Sequence, residues 1–319
     1  MTLTPGIYPD ISDTAYHADA LTDRPALSSS IAKLMLRSPL HAFTAHPRLN
    51  PLHESKDSKV FDLGRACHRA VLGRGSDYVA IPGELLASNG AASTKAAKEW
   101  IEDARAQGLT PLKAEEVDQI GAITDHVAAR LKEMGITLDP ADSEITAIGE
   151  VDGVMCRARF DNLPKRVGVI YDLKTCEDAS TDAVIRAVER YGYDVQAAHY
   201  LDALHAATGQ RRKMRFIFVE KSAPYEVAVI ELHDDPNSES DWMTAARSKA
   251  AEARRMWAEC LASGEWPGYP RRVQIIGARG WEQARWEQKM ADKPDPAAKP
   301  SAEALKAAYE AQAPERMEA

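Results

Sequence analysis

The sequence predicts a mixed α/β (α+β) fold: a mixed central sheet of about five strands, flanked by helices and covered by a helical N-terminal portion. Three observations predict it. Residues 143–175 alternate apolar and polar side chains with the period of two that a half-buried strand requires. Segments on either side carry apolar residues at helical spacing instead. Two further strand-like runs, Met214 to Val219 and Tyr225 to Leu232, follow a helix, which gives the order βββαββ.

The first fifty residues read as a turn-rich entry followed by short helices. Ser28 to Ser30 can cap a helix through Ile31, Leu34 and Met35, and Ser38-Pro39 opens the next with proline at its first position. From about Lys59 to Leu72 the residues Val60, Phe61, Leu63, Cys67, Val71 and Leu72 recur at helical spacing, with Gly64 and His68 one turn apart. Helices over 93–107, capped by Ser93 or Thr94, and over 113–134, preceded by Thr110-Pro111, complete the cover. A three-strand antiparallel meander follows: Glu144 to Gly149, a turn at Val151-Asp152-Gly153, Val154 to Phe160, a loop at Pro164, and Val167 to Asp172. A helix from about Asp182 to Thr208 leads to the last two strands, which Ser222-Ala223-Pro224 joins. A long helix, about Ser238 to Ala262, then reaches Gly264 to Tyr269, whose aromatics are expected to pack down as a clamp. From about Lys289 the Ala/Lys/Pro/Glu-rich tail lacks sustained apolar periodicity and is expected to be disordered or loosely helical. These divisions give a helical portion at 1–140, a core at 141–270 and an extension at 271–319, integrated as one domain.

At 319 residues, 45% apolar and 28% charged, the chain has an ordinary globular balance with room for a real core. It carries no apolar run near the length of a membrane span, and its start lacks the regions of a signal peptide, so a cytoplasmic location without a membrane partner is expected. Cys67, Cys156, Cys176 and Cys260 form no Cys-x-x-Cys pair, which argues for reduced thiols and against a disulfide framework or zinc site. A net charge of −8 argues against a non-specific basic coat, so any nucleic-acid contact must be local.

The chemistry concentrates at Asp172-Leu173-Lys174, which closes an apolar run eleven residues after Asp161. Side chains alternate along a strand, so Asp172 and Lys174 share a face while Leu173 points into packing. A hard oxygen ligand for Mg²⁺ thus lies beside an ammonium able to stabilise developing negative charge, as phosphodiester cleavage requires. Arg157, Arg159 and Asp161 share one strand face, and an arginine row beside a carboxylate suits a phosphate-lined groove. Gln196 and Tyr200, one helical turn apart, face the sheet together, whereas His199 points off their face and is expected to be structural. Arg211 and Arg212 lie in a basic loop that is either solvated or in contact with phosphate. Trp257, Trp266 and Trp281 are expected in packing rather than in base stacking.

Five segments, taken in order, resemble the RecB-like branch of the PD-(D/E)XK nucleases, and most closely the exodeoxyribonuclease VIII (RecE)-like domains of phages and prophages. They are Leu27 to Pro39, Leu63-Gly-Arg-Ala-Cys-His68, Cys156-Arg-Ala-Arg-Phe-Asp161, Ile170-Tyr-Asp-Leu-Lys-Thr175 and Tyr193-Asp-Val-Gln-Ala-Ala-His-Tyr200. Gly264 to Tyr269 extends the likeness, so most of the chain is covered.

The resemblance implies a restriction-endonuclease-like core and a role for each residue. Asp161, Asp172 and the Leu173 carbonyl would hold one or two Mg²⁺ ions, with Mn²⁺ an alternative, and His68 would ligate or orient the metal. Lys174 would position or polarise the attacking water, and its loss is expected to remove turnover while leaving metal and DNA binding largely intact. Gln196 and Tyr200 would contact the scissile phosphate or hold the lysine. The accessory acid of the first core strand would be Glu144, which opens the strand, rather than Glu150, which abuts the hairpin turn. The cysteine pattern of the iron–sulfur members is absent, so no cluster is expected. The implied activity is Mg²⁺-dependent exonuclease action on linear double-stranded DNA ends, 5′ to 3′, in phage-type recombination. A ring-forming homo-oligomer with a single-strand annealing partner goes with it. The alternatives are an endonuclease on the same core or a DNA-end-binding assembly protein without turnover.

Overall fold

In the computed structural model of the protein, residues 2–53, 62–278, 280–292, 303 and 306 are described. The N-terminal portion supplies β1 (Gly6–Tyr8), α1 (Asp13–His17), β2 (Leu27–Ser28), α2 (Ser29–Arg37), α3 (Pro39–Ala45), α4 (Asp62–Leu72), β3 (Tyr78–Ala80), α5 (Lys95–Ala106), β4 (Thr110–Leu112) and α6 (Ala114–Glu133). The meander is β5 (Ser143–Val151), β6 (Val154–Asn162) and β7 (Val169–Cys176). Then come α7 (Thr181–Tyr191), α8 (Tyr193–Thr208), β8 (Lys213–Glu220), β9 (Val227–Glu231), α9 (Met243–Ser263) and α10 (Gly280–Ala291). No helix among the described residues is long and apolar enough to cross a membrane.

The α+β architecture and the βββαββ order are as the sequence predicts, but the sheet has seven strands rather than about five. Its order is β1-β5-β6-β7-β8-β9, with β2 added parallel to β6 and a separate parallel pair β3–β4 outside it. The extra strands are two or three residues long, too short for any periodicity to be read. Helix capping also follows the sequence: Ser28 Oγ accepts from the Ile31 amide, and Thr94, not Ser93, accepts from Ala97.

Three boundaries differ. The single helix expected over 182–208 is broken at Gly192, which takes φ 63 as the left-handed cap of α7 and starts α8 at Tyr193. The long helix begins at Met243 rather than Ser238, because Asp241 turns its carboxylate onto the Met243 and Thr244 amides. Of the expected helix over 59–72, residues Lys59 to Phe61 lie outside the described residues, as does most of the tail beyond 292. Residues Met1–Tyr269 form one compact unit and Pro270–Ala319 a second, in which α10 exposes Trp281 and Trp286.

Two apolar layers sandwich the sheet. Phe160, Ile170, Phe216 and Phe218 pack with α2, α8 and Trp257 of α9, while Leu173, Ile217 and Val219 pack with Ile120 and Ile123 of α6 and Ala66 and Cys67 of α4. Trp266 packs on Phe43 and on Trp257, and the Tyr269 hydroxyl accepts from Arg37 Nε, so Gly264 to Tyr269 does clamp α2 and α3. Helix α8 sits so close to β5 that a Cβ at Gly149 would stand 2.5 Å from the Ala203 carbonyl oxygen. Only glycine fits there.

His199 is buried in α8, with Nε2 at 3.1 Å from the Arg157 carbonyl. Burial pulls its pKa down to about 4, so the folded protein holds a neutral imidazole that the unfolded chain protonates near 6.5. Stability from this residue is complete above about pH 6.5 and declines as pH falls toward 4, by up to about 3 kcal/mol. A series of unfolding midpoints against pH should show that decline, and His199→Gln should flatten it across this interval.

Candidate metal centre and nuclease site

The site lies where β6 changes partner. Antiparallel pairing of β6 with β7 is confined to Asn162 and Tyr171, whereas Cys156 and Arg157 of the same strand pair with Leu27 and Ser28 of β2. Between these two points β7 parts from β6 and leaves a fork. Asp161 stands at its apex and accepts a 2.7 Å hydrogen bond from the Leu173 amide of β7. A strand residue directs its N–H and C=O to the same side, so the Leu173 peptide edge faces this opening while its side chain is buried behind it.

Three ligand-type side chains meet at the fork. One ligand atom each from His68, Glu144 and Asp161 lie within 4.8 Å of one another, and His68 Nδ1 is 3.4 Å from Asp161 Oδ2. Helix α4 brings His68 in over β7, close enough that a Cβ at Gly64 would sit 3.6 Å from Thr175 Oγ1. Glu144 lies between Ser143 and Ile145, whose register partners Asn162 and Phe160 flank Asp161. Its φ of 56 is a left-handed conformation unusual for glutamate inside a strand. Such strain persists where the surroundings enforce it, and it recurs at functional sites. Burial, reinforced by Asp161 and opposed by Arg159, pushes the Glu144 carboxyl up to about 7. Two carboxylates crowd one imidazole, of which Glu144 is paired with Arg159, and this donor set suits Mg²⁺ or, because of the imidazole, Mn²⁺. Glu150, by contrast, pairs with Arg24 at 3.1 Å near the hairpin end.

Asp172 and Lys174 share the opposite face of β7 from Leu173, as strand alternation requires. Asp172 is 2% exposed, with Oδ1 in an ion pair with Lys174 Nζ and Oδ2 accepting from Gln196 Nε2 at 2.7 Å. Burial lifts the Asp172 carboxyl against the pull of Lys174. Burial draws the Lys174 ammonium down, but Asp172 and Asp161 more than reverse this and keep it charged. Gln196 thus holds Asp172, where the sequence reading has it contact the phosphate or hold the lysine. Tyr200 packs edge-on against Phe160 with ring centres 5.3 Å apart, beside Ser29 of α2.

A cleft of about 860 Å³ leads to the fork, lined by Tyr16, Ser28, Ser29, His68, Glu144, Arg159, Asp161 and Tyr200 among others. The arginines expected to line a phosphate groove are mostly engaged inside the protein. Arg157 is 4% exposed and paired with buried Asp19. Arg159 pairs with Glu144 at 2.7 Å and Asp13 at 2.8 Å and donates to the Ile11 carbonyl, while Tyr16 lies against both guanidinium groups. Arg212 donates to the Pro164 and Val167 carbonyls and so staples the loop between β6 and β7, and Arg211 is exposed beside it. Sequence inspection passes over Tyr16 and Asp19; they are single residues in the N-terminal entry, and no spacing connects them to the core strands.

A divalent cation bound by His68, Glu144 and Asp161 should stabilise the fold by about 2.7 kcal/mol at a hundred times the dissociation constant, seen as a thermal unfolding midpoint that rises with concentration. His68→Ala and Asp161→Asn should each abolish that rise. Removing one member of a buried ion pair leaves the other charge unpaired, so in metal-free protein Lys174→Met should cost about 3–5 kcal/mol in denaturant unfolding. Adding Asp172→Asn to it should recover most of the loss. Cation titration of Lys174→Met checks the expectation that metal binding stays largely intact without Lys174, whose partner Asp172 is then unpaired.

Comparisons with known proteins bear on the family and the fold. A family described as a PDDEXK-like domain of unknown function (DUF3799) matches residues 28–278. A crystal structure of a candidate exonuclease from Eubacterium rectale superposes with a TM-score of 0.56 at 16% identity, over 89% of this chain and 98% of that one. That likeness extends to the fold. A phage-related exonuclease from Haemophilus somnus matches at a TM-score of 0.30 and 12% identity, over 62% of this chain and 95% of that one. No curated protein matches the sequence. With 28–278 spanning most of the sequence, including every residue of the fork, the chain belongs to the PDDEXK-like family DUF3799.

Proposed function

We propose that the protein is a divalent-metal-dependent deoxyribonuclease that hydrolyses linear double-stranded DNA from its ends, 5′ to 3′. The observation that carries the reading is the fork itself: His68, Glu144 and Asp161 converge on one side of β7 while a buried Asp172–Lys174 pair lies within electrostatic reach. His68, Glu144 and Asp161, with the Leu173 carbonyl, would hold Mg²⁺ or Mn²⁺, and Asp172 would join them by exchanging Lys174 or Gln196 for the ion. Bound there, the ion supplies a lowered water pKa and neutralises charge on the leaving oxygen. Lys174 offers its ammonium to the negative charge that builds on the phosphate, and its orientation is held by Asp172. Gln196 fixes Asp172 in turn, so the pair is oriented before substrate arrives. Arg159, paired with both Glu144 and Asp13, ties the accessory acid to the N-terminal cover.

The exonuclease reading rests on the resemblance to RecE-like domains, and the cleft supplies a path to the fork. A closed homo-oligomer enclosing the duplex, working with a single-strand annealing protein in phage-type recombination, completes the proposal. With Mg²⁺ and linear, nicked, circular and single-stranded DNA, the purified protein should degrade the linear duplex from its 5′ ends and spare the closed circle. Asp161→Asn and Lys174→Met should each lower the rate by at least about a hundredfold at temperatures where both remain folded. Cleavage of closed circles would instead indicate an endonuclease. Undiminished cleavage in both variants would remove the nuclease assignment.

A further inference from the structure

Lys33 lies one turn beyond Ser29 on α2, and this helix runs along α8 in the opposite sense, with Ser29 near Tyr200 and Lys33 near Gly192 and Tyr193. Gln196, which holds Asp172, lies between those two contacts on α8. Lys33 Nζ is 5.8 Å from the centre of the Tyr193 ring, and Lys174 Nζ is 5.0 Å from the same centre. Two ammonium groups therefore share one aromatic ring beside the fork.

The surroundings give Lys33 no partner of its own. Among the described residues it makes no ion pair, because the two carboxylates that favour its charge are already engaged, Asp172 by Lys174 and Asp194 by Lys249 at 2.6 Å. Burial, and then the charge of Lys174, pull its pKa down to about 8. Its stem crosses the α7–α8 junction at the one residue without a side chain: a Cβ at Gly192 would stand 2.8 Å from Lys33 Cδ. A half-buried cation held next to a second cation is unfavourable until an anion joins them.

We propose that Lys33 binds a backbone phosphate of the nucleic acid, the neighbour of the phosphate that Lys174 faces, so that the two lysines seat successive phosphates of one strand. The assignment rests on the nuclease reading and adds to it a substrate-binding residue from the N-terminal cover. Tyr193 stands within cation–π distance of both ammonium groups and orients them side by side.

The test measures binding of a linear DNA duplex in Ca²⁺ across a range of salt concentrations, for the wild type, Lys33→Met, Lys33→Gln and Lys33→Arg, beside their thermal unfolding midpoints. Removing one phosphate contact should reduce the slope of log K against log salt by about 0.9 if the contacted strand is duplex, or about 0.7 if it is single. Lys33→Met and Lys33→Gln should show that reduction with unfolding midpoints no lower than wild type, and Lys33→Arg should restore the slope. A slope equal to wild type in both neutral variants would overturn the assignment, and so would weaker binding that follows lowered stability with no change in slope. If the wild type itself shows no salt-dependent DNA binding, the nuclease reading fails first and this assignment with it.

Discussion

The structure depends on where backbone pairing stops. Asn162 and Tyr171 tie β6 to β7, and beyond them β7 continues alongside β8 while β6 takes β2 as its neighbour. Continuous pairing would consume the Leu173 amide in a ladder bond and leave Asp161 against a closed sheet. With the strands parted, that amide instead anchors the Asp161 carboxylate, and His68 can approach from α4. The parallel partnership of β7 with β8, in register from Val169 to Cys176, keeps the parted strand rigid.

Charge then has to be reconciled with burial. Asp19, fully buried with φ 54, accepts from the Ala26 amide and gathers Arg157, His46 and Arg48 around it. This hub fastens the irregular N-terminal entry to β6, and Arg159 adds a second fastening through Asp13. The strand face therefore alternates cations that hold the cover with carboxylates that converge on the fork. A buried charge is tolerated when it is paired and hydrogen-bonded, and each of these is. Lys33 stands outside that pattern, a cation with no ion pair among the described residues.

Much of this was legible in the sequence because the features that carry it are periodic. Alternation between Ser143 and Thr175 located the meander, and the one-turn spacing of Gln196 and Tyr200 placed both on the buried face of α8. The opening position of Glu144 distinguished it from Glu150, which the structure places at the hairpin end. What escaped was set by tertiary contact. Arg157 and Arg159 read as a phosphate-facing row because alternation gives the face of a side chain and not what covers it, and Asp19, Tyr16 and Asp13 cover this one. The strands β1 and β2 exist because β5 and β6 offer free edges, a reason that lies more than a hundred residues away in sequence. Gly192 gave no sign of splitting a helix, since glycine within an apolar-periodic stretch is as compatible with a weak helical position as with a left-handed cap.

The two-residue strand β2 bears on how the molecule comes into being. Leu27 and Ser28 can take their places only after Cys156 and Arg157 exist, and Asp172 is not secured until Gln196 arrives. A chain growing from the ribosome therefore carries its first helices for more than half of its synthesis without the sheet they cover. Pairing across such sequence separations slows folding, because loop closure must be met before the contacts form. Gln196 reaches Asp172 only once α8 has been made, so the oriented Asp172–Lys174 pair is among the last features of the site to form.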